Sequence, residues 1–152
     1  MASDEAKMYA DSIIDKVDRI VACLDGRTTE QINAKPPAGD ANSLLVLAVH
    51  TMANVQEAIF EGLHGQHVGR DRDAEFRASG GSAEAVQEQW NAMKERLRPA
   101  IEGLTEEQLM QRYSHPRRGD VTGREMLLIT ATHASEHVGH AELTRDWIVS
   151  QG

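Results

Sequence analysis

The sequence predicts an all-α protein, one four-helix bundle spanning residues 1–152, on three observations. Aromatic residues make up only 4 % of the chain, whereas Ala, Leu, Ile, Val and Met recur throughout. That mix suits helix packing better than a sheet built from β-branched and ring side chains. Four long segments carry apolar residues at spacings of three and four. Helix-starting and helix-ending residues bracket those segments. At 152 residues and 40 % apolar content, the chain can form a single core without cross-links.

The first helix places Ile13, Ile14, Val17, Ile20, Val21 and Leu24 on one face, with Ser3 or Asp4 as its cap and Gly26 just past its end. Thr28-Thr29-Glu30-Gln31 has the form of a capping box, and Pro36-Pro37 then forbids helix, so a short turn ends in a rigid connection. A second long helix runs from about Asn42 to Leu63. Residues 64 to 81 turn polar and Gly-rich and read as a connecting loop, alternating charge through Arg70-Asp71-Arg72-Asp73 before Glu75 and Phe76. Ser82 caps a third helix whose apolar positions are Val86, Trp90, Met93, Leu97, Ile101 and Leu104, with Pro99 expected to kink or end it. His115 to Asp120 reads as a loop, and a last helix follows from about Thr122 to Val149.

One internal echo links the halves. Leu24-Asp25-Gly26-Arg27-Thr28-Thr29-Glu30-Gln31-Ile32 returns loosely as Ile101-Glu102-Gly103-Leu104-Thr105-Glu106-Glu107-Gln108-Leu109. Each copy joins a long helix to another that carries an interior histidine, His50 in one case and His133 in the other. A pseudo-twofold arrangement would bring these two together at the bundle axis.

The formal net charge of −8 repels a polyphosphate backbone or an anionic membrane, so neither nucleic acid nor lipid is expected as a partner. A small neutral or cationic ligand is easier to accommodate. Cys23 is the single cysteine and lies between Val21 and Leu24, which points to buried packing and an intracellular setting without disulfides. The sequence opens with neither a basic start nor an apolar run, and nowhere holds about 18 consecutive apolar residues, so a cytoplasmic protein is expected.

The chemistry-bearing stretch is Thr132-His133-Ala134-Ser135-Glu136-His137-Val138-Gly139-His140. His133 and His137 stand one turn apart on one face, a spacing that lets two imidazoles chelate one ion, and His140 lies near the same meridian. These positions share the rhythm of Met126, Thr130, Thr144 and Trp147, so they are expected to point inward. Burying an unpaired polar group costs about 1–3 kcal/mol, and a shared ion meets the need of each ring. His50 follows the apolar run Leu44 to Val49 and becomes the third ligand. The open readings of His140 are a fourth ligand, a hydrogen-bond partner of a ligand, or a substrate contact. Asn54 and Glu57, on the face of His50, are candidates to orient a ligand or handle a proton. Glu136 is expected at the surface, His64 and His67 in solvated loop, and His115 as loop decoration.

The lone histidine of the second helix, the pattern His133-x-x-x-His137-x-Gly139-His140-Ala141-Glu142-Leu143, and the stretch Gly69-Arg70-Asp71-Arg72-Asp73-Ala74-Glu75-Phe76 together resemble the DinB-like superfamily. The resemblance extends to the Thr-Glu-Gln-Ile-Asn-x-x-Pro-Pro connection and to Ser43-to-His50. It implies up-down-down-up connectivity, a His triad holding a divalent ion such as zinc or nickel, and a homodimer. It also implies a thiol S-transferase or isomerase activity that uses mycothiol, bacillithiol or glutathione, with the ion activating the thiol. Some relatives carry Glu where this chain has His133, and many carry Gln at the place of His140. Metal-assisted hydrolysis of a small ester or amide with Glu57 shuttling protons, and a non-catalytic stress-associated bundle stabilised by metal, are the competing readings. Any ion held by neutral imidazoles is expected to weaken below about pH 6.

Overall fold

The computed structural model describes residues 3–152. Seven of its segments start at side-chain caps that the sequence supplies. Ser3 accepts from the Ala6 amide ahead of α1 (Asp4–Ala22), and Thr28 forms a complete capping box with Gln31 ahead of α2 (Thr29–Asn33). Ser43 caps α3 (Leu44–Gln56), Asp71 caps the short α4 (Arg72–Phe76), and Ser82 caps α5 (Ala83–Glu102). Thr105 with Gln108, and Thr122 with Glu125, form further capping boxes ahead of α6 (Glu106–Met110) and α7 (Gly123–Ser150). Each such cap satisfies an amide that the helix itself leaves unpaired. The two boxes at Thr28 and Thr105 are the structural counterpart of the repeated sequence.

Four segments depart from the sequence reading. Beyond Gln56 the second helix continues as a π-helix, Glu57–Leu63, which changes the angular step per residue over that stretch. The 64–81 connection contains α4, and the expected 115–120 loop is the turn of a two-stranded antiparallel hairpin, β1 (Arg112–His115) with β2 (Gly119–Thr122). Pro99 does not end α5, which runs one further turn to Glu102. Ile101 in that turn is fully buried, and its packing holds the helix past the missing proline donor.

Ion pairs fix how the long helices run. Arg124 pairs with Glu5 and Arg19 with Glu142, so α1 and α7 lie side by side and parallel. Trp90 Nε1–H and Lys94 reach Asp18, while Arg98 reaches Asp11, so α5 is antiparallel to α1. The α3 helix packs against α7 in the opposite sense: His50 meets His133, and Gly62 lets Met126 approach so closely that an added Cβ would stand 3.2 Å from the methionine methyl.

The core between these helices contains every apolar residue the sequence assigned to the first and third helices, with Trp90, Ile13, Ile20, Leu24, Leu97 and Ile101 fully buried. Cys23 belongs to this core as expected, its thiol 3.3 Å from the Arg19 carbonyl, and burial pushes the thiol pKa up. Among the described residues no helix is long and apolar enough to cross a membrane.

Candidate metal centre

The buried line of α7 is Met126, Thr130, Ala134, Val138, Ala141, Thr144 and Ile148. His133 and His137 flank that line and are half-buried, while His140 and Glu136 are exposed. The expectation that all three α7 histidines point inward is therefore corrected. Position on a helix meridian gives a direction, and what stands opposite decides burial: α3 faces His133 and His137, whereas a cavity opens beside His140.

His50, at 3 % exposure, presents its Nε2 to the His133 Nε2 at 3.2 Å, and the His137 Nε2 stands 3.2 Å from the same atom. One nitrogen from each of the three rings lies within 4.8 Å of the others. At metal–nitrogen distances of about 2.0–2.1 Å, two imidazole nitrogens bound to one ion stand about 3.0–3.4 Å apart. The two separations to His133 fall in that range, and the third pair stands within 4.8 Å. The chemistry of the donors fits as well. His50 donates Nδ1–H to Glu75 Oε1 at 2.9 Å, which leaves its Nε2 as a bare lone pair; His133 Nδ1, at the ring edge away from the triad, is buried without a partner. Three ring nitrogens turned toward one point cannot satisfy one another with protons alone, and a cation at that point can satisfy all three.

His140 does not extend the set. Its Nδ1 lies 3.2 Å from His137 Nδ1, on the side of that ring away from the triad. Of its three open readings, partner of a ligand is the one this contact supports.

Behind His50 stands a charged chain that the sequence reading passed over as loop. Arg70 grips Glu75 with two bonds, Nε to Oε2 at 2.8 Å and Nη2 to Oε1 at 3.0 Å, and reaches Glu57 Oε1 at 3.1 Å. The side chains of Arg70 and Glu75 are only 4 % and 6 % exposed. Asp71 makes this possible by capping α4, which carries Glu75 one turn on into the bundle and sets the Phe76 ring 4.8 Å from that of His50. A carboxylate on the far nitrogen of a ligating imidazole fixes its tautomer and raises its basicity. The alternation Arg70-Asp71-Arg72-Asp73 followed by Glu75 was the available signal. Glu57, proposed as a proton handler, is instead bonded to Arg70 and lies 3.6 Å from Arg117. Asn54, 9 % exposed, borders two cavities, one of which is lined by His50 and His133.

Two further histidines differ from expectation. His115 ends β1 and is 8 % exposed; its Nδ1 accepts the Arg117 amide at 3.1 Å. His64 is partly buried and donates Nε2–H to the Ala100 carbonyl at 2.8 Å near the end of α5, where helical carbonyls lack internal partners. His67 is exposed, as expected.

Burial, reinforced by the neighbouring rings, pushes His133 down to about 3 and His137 to about 4, and burial also lowers His50 against the opposing pull of Glu75. The His133 and His137 rings are neutral, hence competent as ligands, well below pH 6. The expected acid limit of metal binding moves down accordingly. For the metal-free protein the sign is fixed: the unfolded rings titrate near 6.5, so the folded chain binds fewer protons between about pH 3 and 6.5. Their contribution to stability is complete above that window and is lost as pH falls through it. Chemical denaturation of chelator-treated protein at pH 7 and pH 4.5 is expected to give a lower unfolding free energy at pH 4.5, and His133→Ala is expected to reduce the difference.

The triad is reached from two sides. Next to His137 and His140 lies a largely apolar cavity of about 590 Å³ walled by Pro36, Pro37, Leu47, Leu143 and Trp147. Next to His50 and His133 lies a smaller one of about 100 Å³, edged by arginines. Among the described residues no fourth side chain joins the three nitrogens, so a bound ion would keep a position for a small molecule.

No curated protein matches this sequence. In fold the chain is similar to the crystal structure of a conserved protein from Enterococcus faecalis, with a TM-score of 0.81 over 98 % of this chain and 99 % of that one at 16 % identity. The sequence model of the DinB superfamily matches residues 15–141, a span that includes His50, the Arg70–Glu75 pair, His133 and His137. With a helical fold, a histidine triad that could hold a metal ion, and that match over most of its length, the chain belongs to the DinB superfamily.

Proposed function

We propose that this protein is a divalent-metal-dependent enzyme of the thiol S-transferase type, with zinc or nickel at the triad and mycothiol, bacillithiol or glutathione as cosubstrate. The single observation that carries the reading is the convergence of His50, His133 and His137 with no fourth donor among the described residues, beside a cavity large enough for an organic substrate. A divalent ion there supplies a Lewis acid that lowers the pKa of a thiol or water. The chain's own part is to hold and orient. His50 is locked by Glu75, Glu75 by Arg70, and Arg70 by Glu57. Leu47, Leu143, Trp147 and the two prolines give the cavity beside the triad an apolar lining against which the body of an organic substrate can pack.

The same reading includes the up-down-down-up order of the long helices, which the parallel α1–α7 pair and the antiparallel α1–α5 and α3–α7 pairs support. It also includes a cytoplasmic homodimer, for which the exposed Leu128, Leu143 and Val149 of α7 offer apolar surface. Hydrolysis with Glu57 as proton shuttle is the weaker reading, because that carboxylate is already engaged by two arginines. The three-donor set also argues against a purely structural ion, whose shell the protein would close.

Untagged protein is to be assayed for conjugation of each thiol to an electrophile such as a chlorinated aromatic, before and after chelation and reloading. Thiol-dependent turnover that falls on chelation and returns with zinc or nickel is expected. Turnover of esters without thiol would support hydrolysis, and metal-independent conjugation would end the proposal.

A further inference from the structure

The acidity of the whole chain does not extend to the rim of the triad. The cavity of about 100 Å³ beside His50 and His133 is edged by Arg72, Arg117 and Arg118 together with His115, Asn54 and Ile129. Among the described residues no carboxylate lines it. Arg117 shares Glu57 with Arg70 at 3.6 Å, while Arg72 lies against the Phe76 ring at 5.6 Å, and neither Arg72 nor Arg118 has an acidic partner among the described residues. Four guanidinium groups, Arg70, Arg72, Arg117 and Arg118, thus face two carboxylates, Glu57 and Glu75. In a chain whose formal net charge is −8, this corner carries a surplus of positive charge. A cation at the triad would add to it, and unscreened like charges at such spacing are unfavourable unless an anion joins them.

We propose that Arg72, Arg117 and Arg118, with the Nε2–H of His115, form an oxyanion subsite beside the triad that takes the carboxylate or phosphate group of the substrate. Guanidinium groups suit either anion, because their planar N–H forks pair with two oxygens at once. His115 adds a defined donor: its Nδ1 accepts the Arg117 amide, which places the ring proton on Nε2. The same contact ties His115 to the turn that carries Arg117 and Arg118, so the hairpin between β1 and β2 sets the donors as a unit. The cavity is far smaller than the about 300–1,000 Å³ of a drug-sized ligand site, so it receives one group and leaves the substrate's body elsewhere. The inference rests on the metal-enzyme reading only for the word substrate. The expectation of a neutral or cationic ligand, drawn from overall charge, is reversed locally.

The test is a titration of ¹⁵N-labelled full-length protein, chelator-treated and zinc-loaded, with acetate and separately with inorganic phosphate, followed by the backbone amides of Arg117 and Arg118. Saturable shifts are expected in both forms, and tighter binding of one anion identifies which group the subsite takes. Arg117→Gln/Arg118→Gln is expected to weaken binding about tenfold or more, whereas the exposed Arg77→Gln leaves it within about twofold of the wild type. Arg118→Gln alone, which breaks no ion pair, serves if the double variant is unstable. Absence of saturable shifts, indifference to the Arg117 and Arg118 substitutions, or equal loss in Arg77→Gln would overturn the subsite. Arginine-dependent anion binding in a chain that takes up no metal upholds the subsite and removes the metal-enzyme reading; metal uptake without such binding does the reverse.

Discussion

His133→Ala is expected to lower zinc or nickel affinity by more than about 100-fold while leaving the metal-free protein close to its original stability. Even partners one step removed from a metal are worth about 10- to 100-fold in affinity, so removal of a ligand sets that as a lower bound. His133 is also the hub of the site, since its Nε2 is 3.2 Å from both other rings. The second half of the expectation follows from its other nitrogen. A half-buried ring with Nδ1 unpartnered forfeits about 1–3 kcal/mol, whether or not an ion sits on its Nε2. Truncation removes that penalty along with the ring's packing, and the two partly cancel. Calorimetric titration with each metal, alongside denaturation of the chelator-treated form, reads both. A large loss of stability with unchanged affinity would mean that the ring is an ordinary core histidine.

Glu75→Ala is expected to lower both stability and affinity, costing about 3–5 kcal/mol of stability because it leaves the buried Arg70 guanidinium without its main partner. Arg70 keeps only Glu57 at 3.1 Å, and His50 loses the acceptor that fixes its tautomer. Metal affinity should fall about 10- to 100-fold through that second effect. The two consequences separate in Arg70→Met/Glu75→Leu, in which the buried charges leave together. This variant is expected to recover most of the stability and none of the affinity. Recovery of both would show that Glu75 serves the fold and does not tune His50.

Much of the site was legible because its signals are local. His133 and His137 are four residues apart, and helical periodicity alone puts them on one face. His50 was legible from its apolar surroundings and from the repeated capping-box segment that gave each half one interior histidine. Glu75 lies 25 residues from His50 in a polar, Gly-rich stretch, where periodicity carries no information on burial. Only the tertiary fold tells a buried Arg–Glu pair from a solvated charge run. The π-helix was hidden for a different reason: it alters the winding of the backbone without altering composition, and the engagement of Glu57 by Arg70 comes from a distant residue that helical periodicity does not place. His115 sits in a segment rich in arginine and glycine that pairs as a hairpin, and nothing short of strand pairing shows that its ring is covered. The helices themselves followed from apolar spacing and caps, with errors confined to segments where a long-range contact, such as the burial of Ile101 beyond Pro99, outweighs local preference.

The most direct test of the account is X-ray absorption on untagged protein loaded with one equivalent of zinc. The account predicts an ion bound by three imidazole nitrogens at about 2.0–2.1 Å with further light-atom scattering from solvent or substrate, and the loss of one imidazole in His50→Ala. A spectrum without histidine multiple scattering, or one unchanged by that substitution, would contradict it.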